Sequence, residues 1–193
     1  MKCLIGLAGV IMLLNYGAVA TAQSVAVDEQ VAQAVLPLPQ DLRAGATVVK
    51  YDAATGAREV LRQGTNALEC EPKNESDGFT RCYDKVTVPR RELEAKLRAE
   101  KKTEKEIQEA VAAAIQAGTI KAPPFGVMSY RLSSNANVIK WLWVMSVPYA
   151  TPESIGVSTV SQRDAALKGR GLPWLMLAGK ADAHIMIPIN EGQ

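Results

Sequence analysis

The chain has 193 residues, 48% of them hydrophobic and 22% charged, with a formal net charge of +2. That balance suits one modest globular core, and it offers no strong basic field to hold nucleic acid or an acidic lipid surface. With a single histidine, His184, a multi-histidine zinc centre within one chain is excluded.

The opening segment, MKCLIGLAGVIMLLNYGAVATA, has one basic residue, an apolar run from Cys3 to Leu14, and then small residues. Ala18-Val19-Ala20 and Ala20-Thr21-Ala22 both fit the small-x-small rule of signal cleavage, so residues 1–22 are expected to be a removable secretory signal. The apolar run is short for a membrane span and is followed by Asn15, so no stable membrane insertion is expected after cleavage. Cys3 lies too early for a lipoprotein. The expected location is periplasmic or secreted. Residues 23–40 form an N-terminal helix or mobile segment: Val25 to Val35 has helical apolar spacing, and Pro37 and Pro39 end it. Residues 41–193 are expected to be a single domain.

ATVVKYDAATGAREVLRQG reads as a hairpin, with Ala46–Tyr51 and Arg58–Leu61 extended and Thr55-Gly56 in the turn. Cys70 and Cys82 remain once the signal is gone, and an even count in an exported chain predicts a disulfide. It closes CEPKNESDGFTRC, a stretch rich in turn formers and charge and therefore expected to be a loop. Closing so short a loop stabilises by roughly 3 kcal/mol. The spacing, with no histidine nearby, does not suit a metal or redox pair.

Pro89 to Gly118 is the strongly helical region. Leu93 and Leu97 share one face, Ile107, Val111 and Ile115 another, and the two stripes are out of phase. Thr103 with Glu106 has capping-box spacing, which predicts two helices, or one bent near Lys102 and Thr103. Between Arg90 and Glu109 lie seven basic and six acidic residues, including Glu92–Lys96 and Glu94–Arg98 at i,i+4 spacing. Such mixed signs predict a solvated helix face, with a docking helix for a partner protein as the alternative.

Val127–Leu132, Val138–Val147, Trp174–Leu177 and Ala183–Ile189 read as strands, with Ser133–Asn137 and Gly179–Asp182 as hairpin loops. Pro188 places a strand end or sheet edge there. Two strands, then helices, then four strands predict an α+β fold: a mostly antiparallel sheet with a central helical segment and one disulfide.

No nucleophile elbow, phosphate loop, HExxH or CxxC motif is present. One histidine still permits a serine hydrolase with His184 as general base, and Ser129, Ser146, Ser154, Ser158 and Ser161 are available nucleophiles. Asp77 with Asp84 is the available carboxylate pair. Strand alternation puts His184 and Met186 on one face, as it does Trp174 and Met176, and thioethers with imidazole suit Cu(I). Core packing explains the same residues without a metal, so no cofactor is expected.

VLRQGTNALEC, RCYD, PPFGVMSYRL, YATPESIGV, GLPWLML and AHIMIPI occur in this order. Together they resemble a family of uncharacterised exported bacterial proteins with a G-T/S-N-x-x-x-C stretch, an extended segment ending in tyrosine, and a terminal PW…AHIMI signature. The resemblance spans about Asp41 to Ile189 and implies an exported single-domain protein, without supplying a reaction. It directs attention to Gly64, Asn66, Tyr130, Trp174, His184 and Met186. Gly64 and Asn66 are expected to turn the chain in left-handed conformations. Tyr130, Trp174, His184 and Met186 are the expected ligand-binding residues. The expected function is non-catalytic binding of a small molecule or a protein, with the hydrolase and the Cu(I) module as alternatives.

Overall fold

One continuous sheet organises the chain, and different segments cover its two faces. The computed structural model describes residues 27–190. The expected signal segment and its cleavage sites lie outside the described residues. Helix α1 occupies residues 27–34 and α2 Gln40–Arg43. Strands β1 Thr47–Tyr51, β2 Arg58–Arg62, β3 Leu68–Asn74 and β4 Phe79–Asp84 follow, then helices α3 Val88–Ala99 and α4 Glu104–Gln116. After β5 Met128–Ser133 and β6 Trp141–Ser146 come the short helices α5 Pro152–Ile155 and α6 Arg163–Ala166, and finally β7 Trp174–Met176 and β8 His184–Pro188.

The strands lie in the order β2-β1-β3-β4-β5-β6-β8-β7. Only β1 and β3 pair in parallel; the other neighbours are antiparallel. This is the expected α+β class, with its mostly antiparallel sheet and two central helices. Thr103 caps α4 by the expected capping box, its hydroxyl accepting from the Glu106 N–H while Glu106 accepts from the Thr103 N–H. Pro188 ends β8, which is an interior strand.

The cysteine segment differs from its expectation. It is not a loop but the β3–β4 hairpin, with Cys70 directly opposite Cys82 and the two bonded. Charge had masked the alternation. Cys70 and Cys82 face one side and are fully buried, while Glu69, Glu71, Arg81 and Tyr83 face the other. The disulfide is compatible with an oxidising, extracytoplasmic setting. Among the described residues no helix is long and apolar enough to cross a membrane.

Register carries the cysteine row across the sheet as Val48, Cys70, Cys82, Tyr130, Trp143 and Ile187. The N-terminal segment covers the β1–β5 part of this first face. Ala34, Val35 and Leu38 are buried against Val48, Leu68, both cysteines and Tyr130. The segment is docked: Arg43 donates to the Leu38 carbonyl at 2.8 Å and Arg62 to the Ala46 carbonyl at 2.7 Å. Gly64 does not adopt the left-handed conformation expected of it. Its role is close approach, because a Cβ there would lie 2.3 Å from the backbone of Gly45 to Thr47. Asn66 also lacks a positive φ; its side chain donates to the Leu42 carbonyl and accepts from the Leu68 N–H.

On the second face, α3 packs over β3 and β4 through charge: Glu92, Lys96, Arg98 and the charges from Glu100 to Glu109 form the expected solvated face, but Arg90, Arg91 and Glu94 depart from it. Glu94 is only 7% exposed and accepts from Arg90 at 2.8 Å and Arg91 at 3.0 Å. Arg91 also donates to Glu71 on β3 at 2.5 Å, and its guanidinium lies 4.0 Å above the Tyr83 ring. Burial opposes the Arg91 charge, but Tyr83, Glu71 and Glu94 outweigh it and hold its pKa above that of an ordinary arginine. Arg58 pairs with the buried Glu69 on the same face. The turn between β1 and β2 touches α3 so closely that a Cβ on Gly56 would lie 2.7 Å from the Lys96 Cα. The anticipated Glu94–Arg98 pair is the longest of the Glu94 contacts, at 3.8 Å.

Arg91→Leu strands Glu71, leaves the buried Glu94 with Arg90 as its one close partner, and is expected to lower unfolding free energy by about 2–4 kcal/mol. Lys105→Ala removes only an exposed pair and should change it by less than about 0.5 kcal/mol. Urea titration of both variants checks the contrast, and equal small effects would contradict the buried network.

Candidate functional site

Helices α3 and α4 leave the β6–β8–β7 half of the second face to other cover. Alternation points Leu142 and Val144 of β6, Met186 of β8 and Trp174 of β7 to that face. They pack with Ile139 and with Ala166 of α6. The irregular segment before α6 is tied to the sheet edge, where the Leu175 N–H donates to the Ser158 carbonyl at 2.8 Å. Between this cover and the sheet runs a groove of about 490 Å³. Leu142, Trp174 and Met186 form its apolar floor, Thr159, Ser161 and Arg163 one wall, and Phe79 with Arg131 the end nearest β4.

Arg131 is the unusual member. It stands on β5 opposite Arg81 and Leu142, and its Nε is shut off from solvent with no hydrogen-bond partner among the described residues. Neighbouring guanidinium groups are occupied. Arg81 pairs with Asp77 at 2.7 Å and lies 4.6 Å from the Phe79 ring centre. Arg163 donates to the Asn137 carbonyl at 3.0 Å, and its other arm is 4.0 Å from Asp164. Burial lowers the Arg131 pKa, and the like charges of Arg81, Arg91 and Arg90 push it the same way against the opposing Tyr83.

The four residues expected to bind a ligand are divided between the faces. Trp174 and Met186 pair across β7 and β8 and line the groove. His184 shares their face, opposite Met176 and Ser146, but does not line the groove. Its Nδ1–H donates to the Asp182 carbonyl at 2.8 Å, since a carbonyl can only accept. The Ser146 hydroxyl donates to the Pro123 carbonyl at 3.2 Å and not to His184. Tyr130 lies on the opposite face beside the disulfide, edge-on to Trp143 with ring centres 5.3 Å apart.

Two further expectations are placed by the same geometry. Asp77 sits in the β3–β4 turn, whereas Asp84 at the other end of β4 caps the 3-10 turn Lys85–Thr87 through the Val86 N–H, so they form no pair. Met176 and Met186 bring thioethers to the groove without the imidazole. Among the described residues no three or more His, Cys, Asp or Glu side chains converge to hold a metal. Sequence reading passed over Arg131. The available signal was an arginine in the middle of MSYRLS, a strand position that alternation assigns to a face.

No family model, curated protein or solved structure matches the chain. The site is therefore read from its own geometry.

Acid sensitivity follows from carboxylates held below their ordinary range, among which Asp77 and Glu104 are paired with arginines. Burial opposes the Asp77 charge, but Arg81 and the Phe79 N–H outweigh it, and the hydrogen bond from Arg98 holds Glu104 down, so both titrate below the ordinary range. Each binds its proton more weakly when folded than when unfolded. Their stabilisation is complete above the unfolded values near pH 4 and is lost as pH falls through the lower folded ones. Urea midpoints are expected to be level from about pH 7 to 5 and to fall below about pH 4, with Arg81→Gln and Arg98→Gln each flattening the fall by under about 1 kcal/mol. A midpoint that rises on acidification would contradict this.

Proposed function

We propose that this chain is an exported, non-catalytic binding protein that takes a small, largely apolar molecule in the groove between the β6–β8–β7 floor and α6. The observation that carries the reading is an open apolar trough of small-molecule size, floored by Leu142, Trp174 and Met186. At its β7 end Met176 and Leu177 remain 39% and 48% exposed, which leaves the apolar surface accessible. Export is supported by the signal-like residues 1–22, by the disulfide and by the resemblance of the motif series to exported bacterial proteins.

Binding is favoured over hydrolysis by the state of the only histidine. A Ser–His mechanism needs the imidazole bonded to its nucleophile and facing the substrate. His184 is held by a backbone carbonyl, its serine neighbour is engaged elsewhere, and neither lines the groove.

The neutral fluorescent probe N-phenyl-1-naphthylamine is expected to bind saturably at one site. Thr159 is exposed on the groove wall, so Thr159→Trp should place an indole across the opening without disturbing the core and weaken the probe by about tenfold or more. Non-saturable binding, or affinity unchanged by Thr159→Trp, would contradict the assignment.

A further inference from the structure

We propose that the ligand of this groove is a small apolar carboxylic acid, held as its carboxylate by Arg131. The inference rests on the groove reading above and specifies its ligand. Three observations lead to it.

First, Arg131 carries a charge that no described residue compensates. Its Nε is buried without a partner among the described residues, and its neighbour on β4 is another arginine. A guanidinium does not deprotonate, so burial cannot be relieved by loss of the charge. The structure does compensate its other partly buried guanidinium groups on this face, with Arg58 on Glu69, Arg91 on Glu71 and Glu94, and Arg81 on Asp77. A bound anion would complete the pattern.

Second, the charge count fits a monoanion. Arg163, the other guanidinium in the groove, already serves the Asn137 carbonyl and lies near Asp164, so among the described residues one unpaired cation remains in the groove. One guanidinium fork matches one carboxylate in planar, two-point fashion, whereas a phosphate monoester would bring a second charge.

Third, the sheet floor of the groove is polar at one end only. Arg131 is on β5, while the floor runs away from it through β6 and β8 to Trp174 and Met176 on β7. A carboxylate at Arg131 therefore directs an apolar body along Leu142 and Met186 toward Trp174. The volume of about 490 Å³ suits a small molecule.

Calorimetry with the full mature chain distinguishes the charge from the groove. Decanoate and 2-naphthoate are each compared with the neutral alcohol of the same skeleton, decanol and 2-naphthalenemethanol. The acids are expected to bind about tenfold or more tighter than the alcohols. Arg131→Gln should abolish that preference while leaving alcohol binding in place, and Arg131→Lys should keep part of it. The melting temperature of unliganded Arg131→Gln should equal or exceed that of the wild type, because an unpaired charge has been removed. Alcohols binding as tightly as acids, or an acid preference that survives Arg131→Gln, would overturn the carboxylate assignment and leave the groove standing. Failure of all four compounds to bind would overturn both.

Discussion

The second face of the sheet is governed by where its carboxylates are. Arg91 can hold α3 against the sheet because β3 presents Glu71 and β4 presents the Tyr83 ring, while Glu94 on the same helix closes the network. No equivalent partner exists further along. The residues that β6, β8 and β7 turn to this face are Leu142, Val144, Ser146, His184, Met186, Pro188, Trp174 and Met176. A charged helix face has nothing to pair with there, so the long helices stop over β4. The far half is covered instead by the four-residue α6 and an irregular segment, and the incomplete cover is the groove.

The first face is closed by other means. Cross-strand pairing of Cys70 and Cys82 joins β3 to β4 covalently and presents an apolar row that receives Ala34, Val35 and Leu38. At the opposite end, Leu175, Ile185, Val147 and Ala150 make a separate buried cluster. These clusters pack the first face, and the proposed binding groove lies on the second one. The disulfide and the proposed site therefore act on opposite sides of the same strands.

How much of this could be read from sequence depends on which signal dominated each segment. In AHIMIPI the alternation is unmixed, and it correctly set His184 and Met186 on one face and Ile185 and Ile187 on the other. The Thr103–Glu106 capping box located the break between α3 and α4, since it needs only local chemistry. CEPKNESDGFTRC misled because Glu69, Glu71 and Arg81 are charged for the sake of partners distant in sequence. Glu71 answers Arg91, and Glu69 answers Arg58. Long-range pairing also drew Arg91 and Glu94 out of the otherwise exposed charges of α3. Tyr130 does not join the groove for a geometric reason: whether a strand position faces the groove depends on register with β4 and β6, which a single sequence does not fix. The same register brings Arg131 into the groove, one position further along β5.

The central claim is that ligand binds one face of the β6–β8–β7 sheet. Four described methionines report on it, because Met176 and Met186 line the groove while Met128 and Met145 pair on the opposite face. In protein labelled with ¹³C at the methionine methyl groups, titration with decanoate should move the Met176 and Met186 signals and leave Met128 and Met145 in place. Movement confined to Met128 and Met145 would contradict the account.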